Sequence, residues 1–234
     1  MSILVEHIEG VLEIRLNRPD KLNALTLVMA RELLARVTDG LRDAQVRAIL
    51  LRGKGRAFCA GKDRDDPPAP EFVSVLQDLA KALMNTAKPV VAAVHGWVIG
   101  AGLELMLNCD IAIASRGARF MLPEVNMGLF GTGAVASLLP RSVGLQKAKG
   151  MLMLGREVSA TDAERWGLIW AVIDDENLVT EARNLARQLA AGDPVVLGAM
   201  KELLHRESIG DIAGALQREA QAHDKLGGRP PLQC

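Results

Sequence analysis

Two glutamates in apolar surroundings are the residues of this sequence best placed to do chemistry. Glu104 lies in the segment GAGLELMLNCD (100–110) and is the only acidic residue between Lys88 and Asp110, whereas Glu124 lies in FMLPEVNMGLF (120–130). A buried carboxylate is costly unless it is paired, hydrogen-bonded or protonated. Two carboxyl groups in one dry site can divide proton donation and proton abstraction between them. Either glutamate taken alone is better explained as a hydrogen-bonded structural residue or a surface residue than as a catalyst.

Two glycine-rich loops follow strand-like segments and could supply backbone donors to such a site. They are GKGRAFCAGKD (53–63) and HGWVIGAGLEL (95–105), and the second opens a predicted helix. Glycine lets the backbone approach a ligand closely, and the first turn of a helix has unpaired N–H groups. Two such N–H groups directed at one oxygen would form an oxyanion hole. The alternative is that the glycines only permit tight packing, and neither loop matches a nucleotide phosphate-binding pattern.

The elements that must position these residues follow from the pattern of apolar residues. Alternation around Glu9 and Gly10 predicts a β-hairpin, and Thr26 is expected to cap the next helix. Strands are predicted in VRAILLRG, PVVAAVHG, CDIAIAS and ARFMLPEV, with a glycine-broken turn before a helix at about 101–107. Because Pro123 disfavours helix before it, Glu124 is expected at a strand end that enters a loop. After Gly131 the pattern is almost entirely helical, which predicts an α/β core followed by a helical lobe.

Composition excludes several classes of function. The chain has 234 residues, with 28 basic and 28 acidic side chains, so its zero formal charge gives no reason to expect nucleic acid or an anionic membrane as a partner. The longest apolar run is too short to span a bilayer. The three cysteines lack metal-ligand spacing, so no metal is expected. The N-terminal segment lacks the layout of a signal peptide, which predicts a cytoplasmic location.

Taken together and in this order, the motifs RAFCAGKD, HGWVIGAGLELMLNCDIAIAS and RFMLPEVNMGLF resemble the enoyl-CoA hydratase/isomerase (crotonase) superfamily. RPDKLNALT and SATDAERWGLIWAVI strengthen the resemblance. It implies an α/β fold, a spiral of ββα units with a helical C-terminal trimerisation lobe. The expected division is a core over 1–190 and a shortened lobe over 191–234, without an independent second domain. The resemblance also implies a homo-oligomer, either a trimer or a dimer of trimers.

The resemblance assigns roles to individual residues. The backbone N–H groups of Lys62 and Ala101 would hold the oxygen of an acyl-CoA thioester. In the hydratase branch, Glu104 would deprotonate the water that attacks C3, and Glu124 would deliver a proton to C2. No cofactor is expected, because coenzyme A is part of the substrate. The residues expected to contact the substrate are Lys21, Ala24, Leu25, Ala60, Lys62, Asp63, Arg64, Leu129 and Phe130.

The sequence departs from the family pattern at two places. Gly131 and Thr132 stand where hydratases commonly have a proline after the second glutamate, and the chain ends in HDKLGGRPPLQC where relatives usually continue into another helix. We therefore carry three functions forward. They are an enoyl-CoA hydratase of fatty acid metabolism, a Δ3,Δ2-enoyl-CoA isomerase that needs only Glu124 as its base, and a catalytically silent CoA-binding scaffold.

Overall fold

A computed structural model describes residues 1–226 of the chain. Its larger sheet has six strands, and all neighbours are parallel except the first pair, which is antiparallel. In order across the sheet these strands are β1 (Ile3–Ile8), β2 (Val11–Leu16), β3 (Ala48–Gly53), β4 (Val90–Val94), β6 (Ile111–Ser115) and β9 (Ala171–Ile173). A smaller sheet contains β5 (Trp97–Ile99), β7 (Arg119–Met121) and β8 (Val158–Ser159).

Helices cover both faces of the larger sheet and form the C-terminal part of the described chain. They are α1 (Leu27–Arg42), α2 (Glu71–Asn85), α3 (Ala101–Leu107), α4 (Val135–Val143), α5 (Leu145–Leu154), α6 (Ala160–Trp166), α7 (Leu178–Ala191), α8 (Pro194–Ser208) and α9 (Ile212–Leu226). One buried cluster includes side chains of α1 and α2, and a second packs α7 against the other sheet face. The expected α/β architecture with a helical C-terminal part is confirmed.

Local sequence signals account for the first elements. Glu9 and Gly10 both have positive φ, as a two-residue hairpin turn requires, and they join β1 to β2. The Thr26 hydroxyl accepts a hydrogen bond from the Met29 N–H at 3.2 Å and caps α1 as predicted.

The short strands are where the pattern-based reading falls short. The predicted turn before α3 contains strand β5, and the region after Gly131 contains β8 and β9 as well as helices. These strands are two or three residues long, and their partners are distant in the sequence. Segments this short show no measurable periodicity of their own. They are strands because tertiary pairing stabilises them.

The helices α8 and α9 lie within the lobe predicted for 191–234. A largely buried ion pair joins α8 to the core, with Lys201 Nζ 2.8 Å from Asp110 Oδ2 and side chains 9% and 17% exposed. The same ammonium donates to the carbonyl oxygens of Leu83 and Lys88, so its donors are used inside the protein. The apolar face of α9 packs on α2 and α4 through Ile212 and Leu216. The last eight residues, which include Cys234 and the expected chain end, lie outside the described residues.

We predict that Lys201→Met lowers the free energy of unfolding by about 3 kcal/mol, because Asp110 then remains buried without its cation. The matched control is Lys81→Met in the exposed Lys81–Asp78 pair, which should change it by less than about 0.5 kcal/mol. Urea unfolding measures both. Equal losses in the two variants would contradict this assignment.

Candidate active site

Glu104 is held by the backbone of a loop that is distant in sequence. Its carboxyl group lies on α3, and only 4% of the residue is exposed. Oε1 accepts a hydrogen bond from the Thr132 N–H at 3.0 Å, and Oε2 accepts one from the Gly133 N–H at 3.1 Å. Neutral donors therefore compensate part of the cost of burying this carboxyl group.

The segment 131–134, which we call the carboxylate loop, fits around Glu104 because two of its residues are glycines. A Cβ on Gly133 would lie 2.9 Å from Glu104 Oε2, and one on Gly131 would collide with Oε1. Side chains at these positions would displace the carboxyl group. The departure from the family pattern at Gly131 and Thr132 is thus compatible with a site that holds a carboxyl group.

Glu124 lies against the turn that opens α3. It lies in a 3-10 turn (Pro123–Met127) directly after β7, where a strand end entering a loop was expected. Pro123 occupies the first turn of this element, where its missing N–H costs no hydrogen bond. A Cβ on Gly100 would lie 2.6 Å from Glu124 Oε1, so the carboxyl group rests against the turn that opens α3. Within the described chain, the buried Oε2 of Glu124 has no hydrogen-bond partner.

The environment disfavours the charged forms of both carboxyl groups. Burial, together with the nearby charges of Glu124 and Glu219, raises the pKa of Glu104 to about 8, although the Thr132 and Gly133 N–H groups oppose this shift. Burial also raises the pKa of Glu124. Raised pKa values bring the titration of carboxyl groups toward neutral pH, where they can take up and release protons.

The two glycine-rich loops lie side by side. The Ile99 N–H donates to the Cys59 carbonyl oxygen at 3.0 Å, and a Cβ on Gly61 would lie 2.9 Å from the Ile99 carbonyl oxygen and 3.7 Å from the Ala101 nitrogen. Among residues 1–226, neither the Lys62 N–H nor the Ala101 N–H donates to a protein acceptor. Both predicted oxyanion donors therefore lack a protein acceptor within the described chain, and they lie where the two loops meet.

The predicted cationic contacts, Lys21, Lys62 and Arg64, are exposed on the surface. Lys21 is paired with Asp65 at 2.9 Å. The Lys62 ammonium lies 5.4 Å from the centre of the Phe72 ring, and Arg64 is exposed with a nitrogen 3.7 Å from Met127 Sδ. Asp63 is 6% exposed and pairs with Arg18 at 2.9 Å, so its side chain is engaged within the protein and any contact with a ligand would come from its backbone.

The predicted apolar contacts differ in their accessibility. Leu25 is fully buried and its backbone bonds to Gly61 and Asp63, so it supports the loop from beneath and its side chain does not face a ligand. The other predicted apolar contacts are partly exposed: Ala24, Ala60, Leu129 and Phe130. The roles of all these residues toward a substrate stay predictions.

Sequence reasoning missed the groups that surround Glu104. The backbone donors at Thr132 and Gly133 have no side-chain signature. Glu219 on α9, 3% exposed, is a third buried acid near this site. One signal could have identified Glu219, because it recurs with Ile212, Ala215 and Leu216 on the apolar stripe of α9. An acid on such a stripe must have a buried partner.

Other site classes find no support in the described residues. Over 1–226, no group of three His, Cys, Asp or Glu side chains is arranged to hold a metal ion. The same range contains no helix whose length and apolar content would suffice to cross a bilayer. Cys59 is buried, and burial raises the pKa of its thiol to about 12, so it is not a ready nucleophile.

The family model and the curated relatives that match this chain indicate the same family. Residues 6–229 match the family model described as enoyl-CoA hydratase/isomerase. A 1,2-epoxyphenylacetyl-CoA isomerase of Escherichia coli is 36% identical over 98% of this chain and 91% of its own length. A protein of Rhodobacter capsulatus named "Probable enoyl-CoA hydratase" is 35% identical over 97% of this chain and 90% of its own.

Solved structures agree with this. The crystal structure of an enoyl-CoA hydratase from Mycobacterium avium subsp. paratuberculosis matches with a TM-score of 0.92 and 29% identity, over 99% of this chain and 92% of that one. A hydratase/isomerase from Pseudoalteromonas atlantica matches with a TM-score of 0.90 and 32% identity, over 98% and 92%. With the family model covering nearly the whole chain, this protein belongs to the enoyl-CoA hydratase/isomerase family and has the crotonase fold.

Proposed function

We propose that this protein is an enoyl-CoA hydratase that adds water across the 2,3 double bond of a 2-enoyl-CoA. The family acts on acyl-CoA substrates. The observation that carries the finer proposal is the presence of two carboxyl groups at the start of α3, with Glu104 buried on the helix and Glu124 partly buried against Gly100. Glu104 accepts two backbone N–H bonds, and Glu124 Oε2 has no hydrogen-bond partner among residues 1–226.

The thioester oxygen would be bound by the N–H groups of Lys62 and Ala101. Addition of water at C3 moves negative charge onto this oxygen, and donors aimed at it stabilise the enolate. One donor of this kind is worth about 3–4 kcal/mol of barrier. Because the donors belong to the backbone, the lysine side chain at position 62 has no part in this step.

The two glutamates would divide the proton transfers. We assign Glu104 as the base that takes a proton from the attacking water. Its pKa of about 8 makes the ionised form a strong base near neutral pH, and two N–H groups partly offset the cost of that form. We assign Glu124 as the acid that protonates C2, because burial favours its protonated form. The balance is one water added, with its hydroxyl group on C3 and a hydrogen on C2.

The names of relatives support the same class of reaction. Several of them are named as enoyl-CoA hydratases, among them proteins of Rhodobacter capsulatus and Rhizobium meliloti that are each 35% identical to this chain. The acyl chain length is left to experiment. The cytoplasmic location and the role in fatty acid metabolism stay predictions.

We predict that Glu104→Gln and Glu124→Gln each lower the turnover of crotonyl-CoA by about 10²- to 10⁴-fold, because each removes one proton-transfer group. Loss of the absorbance of the conjugated thioester measures turnover. Glu202→Gln, an exposed glutamate on α8, is the matched control and should keep wild-type activity. Circular dichroism should show all three variants folded, and near-full hydration by either site variant would refute the two-acid mechanism.

Isomerisation of a 3-enoyl-CoA is the second candidate, and one observation favours it. Glu124 could act as a single base, because its buried Oε2 has no hydrogen-bond partner among residues 1–226. Glu104→Ala discriminates between the two reactions. Retained conversion of a 3-enoyl-CoA with loss of hydration would favour the isomerase. Binding of acyl-CoA by calorimetry without turnover of any enoyl-CoA would favour the silent scaffold instead.

We also propose that the protein acts as a homo-oligomer, a trimer or a dimer of trimers. The support is an apolar stripe on α8, where Val196, Met200, Leu203 and Leu204 are each about half exposed or more. A stripe of this kind on a helix is typical of a surface that another copy covers.

We predict that Leu204→Glu shifts the protein toward monomers, because it places a charge in the proposed interface. Size-exclusion chromatography with light scattering gives the mass. Val28→Glu changes an exposed valine of α1 and should leave the wild-type mass unchanged. A monomeric wild-type protein would contradict the proposed assembly.

A further inference from the structure

A third buried carboxyl group lies behind the carboxylate loop. Glu219 projects from α9, is 3% exposed, and has no role in the reaction as proposed. Its Oε2 accepts a hydrogen bond from the Ala134 N–H at 2.6 Å, and its Oε1 accepts one from the Ala136 N–H at 2.6 Å. Both oxygens are therefore bound to the first turn of α4 and to the residue just before it.

Successive N–H groups of this segment are shared between two carboxyl groups. Those of Thr132 and Gly133 point to Glu104, and those of Ala134 and Ala136 point to Glu219. The change of direction occurs at Ala134, a non-glycine residue with a φ of +67°. A left-handed conformation is unfavourable for alanine and persists only where surrounding contacts enforce it. The bond from Ala134 to Glu219 is one such contact.

Other contacts tie the same loop to α9. His223 Nδ1 lies 2.9 Å from the Phe130 carbonyl oxygen and donates to it. Gln77 of α2 donates through Nε2 to the carbonyl oxygens of Thr132 at 3.3 Å and of Leu216 at 2.7 Å. The loop that holds Glu104 is thus fixed at both ends by α9, and Glu219 makes the only contact of this set through a carboxyl group.

We propose that Glu219 is a positioning residue, which fixes the left-handed turn at Ala134 and thereby directs the Thr132 and Gly133 N–H groups at the Glu104 carboxyl group. Its catalytic consequence rests on the proposed hydratase function. Glu219 contacts no reacting atom in this account. It acts through the backbone of the carboxylate loop.

Electrostatic coupling gives this role a readout that a purely structural role would lack. The acids that face Glu104 are Glu124 from the 3-10 turn and Glu219 from α9, and both raise its pKa. His223 is the other titratable side chain of α9 at this loop. Burial raises the pKa of Glu219 to about 7, so this group is mostly ionised where Glu104, with a pKa of about 8, titrates. Because a negative neighbour disfavours the ionised form, removing the Glu219 charge lowers the pKa of Glu104. The acid limb of kcat/KM should then move to lower pH.

The test compares Glu219→Gln, Glu219→Asp and the control Asp224→Asn, which removes an exposed carboxyl group from the same helix. Hydrogen exchange of peptides that cover 130–138 reports the geometry of the loop without any substrate. The pH dependence of crotonyl-CoA hydration reports the site. We expect this segment to exchange faster than in the wild type in both Glu219 variants. The control should exchange at the wild-type rate.

The two Glu219 variants should differ in one respect only. Glu219→Gln should lower kcat about 10- to 100-fold and move the acid limb to lower pH, because the charge is lost and one N–H loses its acceptor. Glu219→Asp should lower kcat without moving the limb to lower pH, because the charge stays but the shorter side chain cannot reach both N–H groups. If Glu219→Gln does not fold, Glu219→Asp still tests whether the side chain must reach both N–H groups.

The outcomes separate this proposal from the proposed function. Wild-type exchange over 130–138 in both Glu219 variants would overturn the positioning role, whatever the activity. Faster exchange throughout the chain with an unmoved acid limb would also overturn it, since that is general loss of stability. If exchange rises in this segment alone but the wild type hydrates no enoyl-CoA, the positioning of the loop is supported and the hydratase function fails.

Discussion

The burial of the Glu104 carboxyl group is the constraint on which the site depends. It projects from a short helix whose first six residues are all buried. Burial of this group without donors would cost several kcal/mol. Two backbone N–H groups of the carboxylate loop supply the compensation. The loop, the turn at Ala134 and the helix α9 behind it are therefore parts of one arrangement around a single carboxyl group.

The choice of neutral donors distinguishes the site from the rest of the protein. Glu13, which is fully buried in the larger sheet, has the opposite environment, because hydrogen bonds from Arg183 and Arg52 outweigh burial and lower its pKa. A carboxyl group paired in this way stays ionised. Around Glu104 the donors are amides and the nearby charges are negative, so its pKa is raised to about 8. A group that exchanges a proton near neutral pH needs this second kind of environment.

Close approach of backbone to backbone also decides the geometry. A Cβ on Gly102 would lie 2.8 Å from Cys59 Cβ, and one on Gly61 would meet the Ile99 carbonyl oxygen. Only residues without side chains let the two loops that carry Lys62 and Ala101 pack this closely. The same requirement recurs at Gly100 against Glu124 and at Gly133 against Glu104. The glycines of the loops thus set distances between functional groups.

The sequence by itself determined the elements whose signals are local. The hairpin at Glu9 and Gly10, the cap at Thr26 and the extent of α3 follow from turn chemistry, capping and periodicity, and the ordered motifs identified the family. Glu104 and Glu124 stood out because an acid in an apolar run is costly. Tertiary structure alone decided what satisfies them. Backbone N–H groups carry no sequence signature, and Glu219 is 85 positions from the Ala134 N–H that it binds. Local spacing does not encode the bond between Glu219 and Ala134, because these residues meet only when α9 packs onto α2 and α4.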